Sequence, residues 1–220
     1  MKIAIIRASG KTGTKLVRES LKREYQTVAV CRHSSAEKLD GFTDRDGCTV
    51  MTAPVVSNET LLAEALDGCD AVVVVLITVL RLKATDLVAS LSKATVANGV
   101  KRLVFTAGEI TTVREGNEVY TLRQRIMRAV VPPLLWLTPY SVTDMLNASV
   151  LIRQQPDWEW TIVRAPTLRD SPPTGYRFCS ISEVTSAHAL SREDYASCLL
   201  DSLGNPDHHR RTLTVLPSDS

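Results

Sequence analysis

Lys2-Ile3-Ala4-Ile5-Ile6-Arg7-Ala8-Ser9-Gly10-Lys11-Thr12-Gly13 decides the fold. The short apolar run after Lys2 reads as a buried strand, and the glycine-containing turn behind it opens directly into a helical pattern. Such a strand–turn–helix unit brings backbone amides and a helix N-terminus to the carboxyl end of the strand, where an anion is favoured. One residue departs from the pattern. Arg7 stands where a tight turn against a ligand's pyrophosphate normally takes glycine.

Outward from this stretch, strand-like and helix-like segments alternate. A helix is expected over residues 13–24 and strands over 27–31 and 49–52. A helix over 58–66 leads to a continuous β-branched run at 71–77, the signature of a parallel strand buried on both faces. A long helix over 83–98 stops at Gly99, and a fifth strand follows at 102–106. The alternation predicts an α/β, Rossmann-like, doubly wound parallel sheet of six or seven strands flanked by helices, a single domain over residues 1–220.

The second half is less regular. Residues 109–139 are expected to be broken by Pro132, Pro133 and Pro139, with helical spacing resuming over 142–155. A sixth strand at 158–163, a proline-rich loop at 166–175 and a helix opening at Ser191-Arg192-Glu193-Asp194 follow. The last edge strand is placed at 213–216, and segments 109–155 and 165–190 are expected to form the substrate-side wall.

The 220 residues are 44% hydrophobic and 23% charged with a net charge of +2, which suits a globular domain and argues against a nucleic-acid surface. The five cysteines are scattered without metal-ligand spacing, so free thiols and no metal site are expected. The apolar run at 72–80 is too short to cross a bilayer, and the chain opens on a strand, so a cytoplasmic protein with no membrane partner is expected.

Several pieces together resemble the NmrA-like, NAD(P)H-binding atypical short-chain dehydrogenases, including the biliverdin reductase B and flavin reductase group. They are Ala8-Ser9-Gly10-Lys11-Thr12-Gly13, Gly99-Val100-Lys101-Arg102-Leu103-Val104, the segment from Asp157-Trp158-Glu159-Trp160 to Arg164-Ala165-Pro166, and Pro173-Thr174-Gly175-Tyr176-Arg177. The resemblance covers nearly the whole chain and implies hydride transfer from NADPH to a flavin, quinone or similar acceptor. It matches Thr12, Gly13 and the N-terminus of the first helix to the pyrophosphate and Arg32 to the 2′-phosphate of NADP, while Ser9, Gly10, Lys11 and Thr106 are cofactor-binding candidates because they lie at carboxyl ends of strands that face the crevice. Arg7 either pairs with a phosphate or fills the phosphate site itself.

The cofactor motif is degenerate in more than Arg7. Ala53-Pro54-Val55 replaces the Gly-Asp-Val of many relatives, and Asp144-Met145-Leu146-Asn147-Ala148-Ser149 lacks their Lys and Glu. These losses lead first to a cofactor-independent isomerase or cyclase, performing an acid-assisted rearrangement of an apolar small molecule in secondary metabolism. Glu109, directly after the fifth strand, is the candidate proton donor, with Tyr140 and Asp170 as further catalytic candidates. Trp136, Leu137, Tyr140, Met145 and Phe178 are candidates for an apolar lining. Asp170 is alternatively a loop-fixing residue bonded to Thr174 or to the backbone, and Asp144 a cap of its own helix. The alternative function is an NADPH-dependent reductase. A third is a redox-sensing regulatory protein.

Overall fold

The computed structural model describes every residue except 44, 77–82, 117, 136–140 and 220. The chain enters on β1 (Lys2–Ile6) and runs through α1 (Lys11–Lys22), β2 (Gln26–Arg32), a 3-10 helix (His33–Leu39), α2 (Asp40–Thr43) and β3 (Cys48–Ala53). It returns through α3 (Glu59–Leu66), β4 (Ala71–Val74), α4 (Ala84–Asn98) and β5 (Arg102–Gly108). α5 (Leu122–Leu135) and α6 (Val142–Arg153) precede β6 (Glu159–Ala165), β7 (Thr167–Arg169), β8 (Tyr176–Cys179), β9 (Ala189–Ser191), α7 (Arg192–Leu203) and β10 (Arg211–Pro217).

Among the described residues, eight strands form one sheet in the order β3-β2-β1-β4-β5-β6-β10-β8, while β7 and β9 pair separately. Only β8 runs antiparallel to its neighbour. The chain winds outward from β1 to β3 and then crosses back to β4, so the strand order reverses between β1 and β4. A crevice opens at the carboxyl ends there. The architecture is the Rossmann-like sheet expected from the sequence, with one strand more.

The alternation of β1 explains the two-sided core. Ala4 and Ile6 pack with residues of α3, α4 and α6, whereas Ile3 and Ile5 pack with those of α1 and α7. All four are fully buried. Full burial of an isoleucine contributes about 1.5–3 kcal/mol, so both faces of this strand hold helices to the sheet.

Four expectations are corrected. The fourth strand ends at Val74, with Val75 and Leu76 outside it and Ile77 outside the described residues. The last strand, β10, is interior, because β8 pairs along its far side through Val215↔Phe178 and neighbouring positions. Local sequence could not show this, since an edge is a property of pairing. α5 also runs straight through Pro132 and Pro133. The two prolines fall in its last turns and free the carbonyls of Arg128 and of the exposed Ala129, so solvent offsets part of the loss. Phe178, expected in the substrate wall, lies on β8 and packs edge-on against Tyr176 and His208.

Gly13 sets how closely α1 can approach β1. A Cβ there would lie 2.4 Å from the Ala8 carbonyl oxygen and 2.7 Å from that of Arg7, both backbone atoms with nowhere to go. Gly13→Ala is therefore expected to cost about 1–3 kcal/mol in a denaturant titration, the range for overpacking a close contact.

Candidate cofactor and substrate cavity

A cavity of about 730 Å³ opens at the strand reversal and is lined from the ends of β1, β2, β4, β5 and β6 and the start of α7. Its floor is the turn from Arg7 to Thr12. Ala8 continues the ladder beyond β1 by donating its amide to the Val30 carbonyl at 2.9 Å. Ser9 and Ser35 share a hydroxyl hydrogen bond of 2.8 Å, and Ser35 also donates to the Arg32 carbonyl at 3.2 Å. The turn is thus fixed to the end of β2 and the 3-10 helix after it.

α1 begins at this floor with Gly10 as its N-cap, without a side-chain cap and without a carboxylate in its first turn. A helix start normally attracts acidic or hydroxyl side chains to its free amides. Leaving it bare on a cavity floor, with glycine at the cap, suits an external anion. This fits a dinucleotide's pyrophosphate, as does the close approach that Gly13 permits.

Arg7 has φ +65°, a left-handed conformation that disfavours any residue with a Cβ. Its side chain lines the cavity, and burial together with the charge of Arg32 pushes its guanidinium down to about 10, against the pull of Asp144. Two like charges on one cavity wall favour an anion between them. Arg7→Gly is expected to raise stability by about 1 kcal/mol through relief of the backbone strain, with no such gain in Arg7→Ala. Paired thermal melts check this.

Arg7, Ser9, Gly10, Lys11, Thr12, Arg32 and Thr106 all line the cavity. The Thr106 hydroxyl accepts the Leu76 amide at 2.9 Å, which occupies it in holding the end of β4 to β5. Gly13 packs behind the floor rather than in it. Lys11 and Arg192 add two cations to the lining, and no carboxylate stands among the described lining residues. Sequence reading missed Arg192, although a signal exists: it is the first residue of α7, where the helix dipole disfavours a cation.

The candidate acids are placed elsewhere. Glu109 is ion-paired with Arg123 of α5, which also donates to the Val184 carbonyl at 3.2 Å, and it is not among the lining residues. Asp170 bridges the first residues of α1 and α7, 3.7 Å from Lys11 Nζ and 3.0 Å from Arg192 Nη1. Its expected bond to Thr174 belongs instead to Asp194, which accepts the amides of Thr174 at 2.9 Å and Gly175 at 3.0 Å. Tyr140, with Trp136 and Leu137, lies outside the described residues. Met145 is buried in the core under α6. Asp144 caps α4, not its own helix, accepting the Ala84 amide at 2.6 Å and the Thr85 hydroxyl at 2.6 Å. α6 is capped by Ser141.

Tyr195 lines the cavity, yet its hydroxyl donates to the Val163 carbonyl at 2.7 Å and accepts the Ala107 amide at 3.3 Å. Burial pushes its phenol up, so it serves the sheet rather than proton transfer. Among the described residues no group of three or more His, Cys, Asp or Glu side chains is arranged to hold a metal, and no helix is long and apolar enough to cross a membrane.

A family model described as NAD(P)H-binding matches residues 8–206. A search of curated proteins by sequence gives no significant match. Among solved structures, a short-chain dehydrogenase/reductase from Veillonella parvula in complex with NADP superposes with a TM-score of 0.75 at 19% identity, covering 97% of this chain and 93% of that one. A putative epimerase from Bacteroides thetaiotaomicron gives 0.79 at 24% identity, with 98% and 96% covered. An anaerobillin reductase from Escherichia coli O157:H7 gives 0.73 at 14% identity, with 100% and 98% covered. At these identities the structural likenesses establish the fold.

Proposed function

This chain belongs to the NAD(P)H-binding family, and from that premise we propose that it is an NADP(H)-dependent oxidoreductase acting on a conjugated small molecule such as a flavin or quinone. The carrying observation is the bare N-terminus of α1 facing a cavity whose wall holds Arg7 and Arg32. Bound there, NADPH supplies a hydride for reduction of the acceptor. The first-turn amides of α1 would hold the pyrophosphate, with Lys11 and Thr12 beside them. Arg32 would take the 2′-phosphate, since the residue at the end of β2 is a cation and not the acid that binds an unphosphorylated ribose. Arg7 would share the phosphate charge, a role suited to a planar fork of donors.

The redox-neutral isomerase or cyclase reading loses support because both of its candidate carboxylic acids are held in ion pairs. Glu109 is held by Arg123, Asp170 by Lys11 and Arg192. It rests on Arg7 and on the other departures at Pro54 and along the helix after Asp144.

Isothermal titration with NADPH, NADP and NAD decides between the two. Micromolar affinity for NADP(H), with NAD at least about tenfold weaker, is expected from one lost charge-assisted contact. Adding quinones or flavins should then deplete the nicotinamide absorbance. Failure of all three nucleotides to bind would sink the oxidoreductase reading and make Arg7 the residue that closes the cavity to them.

A further inference from the structure

α5 is built inside out. All of its polar side chains but Arg125 turn toward the body of the protein: buried Gln124 donates to the Ile181 carbonyl at 2.6 Å, and Arg128 donates to the Thr112 carbonyl at 2.9 Å. Arg123 is held by Glu109. Its apolar side chains face solvent. Leu122 is 72% exposed, Ile126 52%, Val130 54% and Leu134 65%, a ridge at four-residue spacing with Met127 beside it. An amphipathic helix at the surface of a monomer presents the opposite arrangement.

We propose that this ridge is the contact surface for a second copy of the chain, forming a two-fold dimer. One observation and two geometric requirements favour that occupant. The ridge residues and Met127 expose on the order of 500 Å², a contiguous apolar strip well over half of the roughly 800 Å² per partner of a stable interface. Ridges of four-residue spacing interdigitate when two helices cross. The ridge is also self-complementary: a two-fold axis through its midpoint sets Leu122 against Leu134 and Ile126 against Val130, as a closed isologous contact requires. A lipid surface fits less well. Two of the helix's three arginines are spent inward, which leaves Arg125, and one basic residue contributes only about 1 kcal/mol toward an anionic bilayer.

The test is sedimentation equilibrium of the full chain, with thermal melts as a folding control. A dimer is expected at tens of micromolar protein. Ile126→Glu and, separately, Val130→Arg should each raise the dimer dissociation constant by at least about 100-fold with little change in melting. Val96→Glu, an exposed position on α4, should leave the dimer intact. A wild-type chain that stays monomeric at hundreds of micromolar overturns the proposal, and so does a dimer that survives both ridge substitutions. Co-sedimentation of a monomeric wild type with phosphatidylserine vesicles would overturn it in favour of lipid.

Discussion

Glu118→Ala is expected to remove about 3–5 kcal/mol of stability, because it strands a buried guanidinium. Arg164 on β6 is 1% exposed, and its partner is Glu118 in the segment between β5 and α5. The carboxylate also accepts the Glu115 amide at 3.0 Å and the Tyr120 hydroxyl at 3.3 Å, while Arg128 lies 4.7 Å over the Tyr120 ring. Removing the carboxylate leaves the buried Arg164 guanidinium without its counter-charge, with the Tyr120 hydroxyl at 3.4 Å as a neutral partner. The double replacement Arg164→Met with Glu118→Leu should recover most of the loss, since the cost lies in the unpaired charge and not in the absence of the pair. Urea titrations of the three variants read both effects.

The same pair predicts a pH dependence with a definite sign. Burial alone would raise the Glu118 carboxyl, but the hydrogen bonds and charge of Arg164, with the Glu115 amide and Tyr120 hydroxyl, outweigh it and hold it below the ordinary range. A carboxyl depressed in the folded state contributes its stability fully above its unfolded value, roughly 4.3, and loses it as pH falls through the folded value. The difference between wild type and Glu118→Gln should therefore be constant near neutrality and shrink in acid. A difference that grows on acidification would refute the assignment.

Arg32→Glu is expected to raise the dissociation constant for NADP(H) by about 100-fold while changing that for NAD(H) only a few-fold. One charge-assisted contact is worth roughly 1.5–3 kcal/mol, and glutamate adds repulsion to its loss. The effect is specific because Arg32 ends β2 and caps the 3-10 helix through its backbone, so its side chain is not needed for the fold. Equal weakening of both cofactors would place Arg32 away from the 2′-phosphate.

The fold was legible because its determinants are local. The Lys2–Ile6 strand, its turn and the apolar runs of β4 and β5 each carry their own periodicity, and Gly99 ends α4 with φ 69°, as its place in the sequence suggests. The cavity floor was legible for the same reason: the turn follows a strand, and in a doubly wound sheet that end of the strand faces the crevice. The interior place of β10 is not legible locally, because its pairing with β8 joins two segments distant in the chain.

The acids could not be read this way. Glu109 follows β5 as a donor should, but Arg123 arrives from α5 to hold it, and Asp170 is claimed by residues at the starts of two different helices. Charge pairing depends on distances of a few ångströms between segments far apart in the chain, and no local pattern encodes it. The sequence by itself determined the sheet, the crevice and the residues of the turn, since periodicity and turn chemistry act over a handful of positions. Only the tertiary structure decided which charges line the cavity. It set Arg7 close enough to Arg32 to feel its charge, removed the carboxylates from the cavity wall and turned the apolar side of α5 outward.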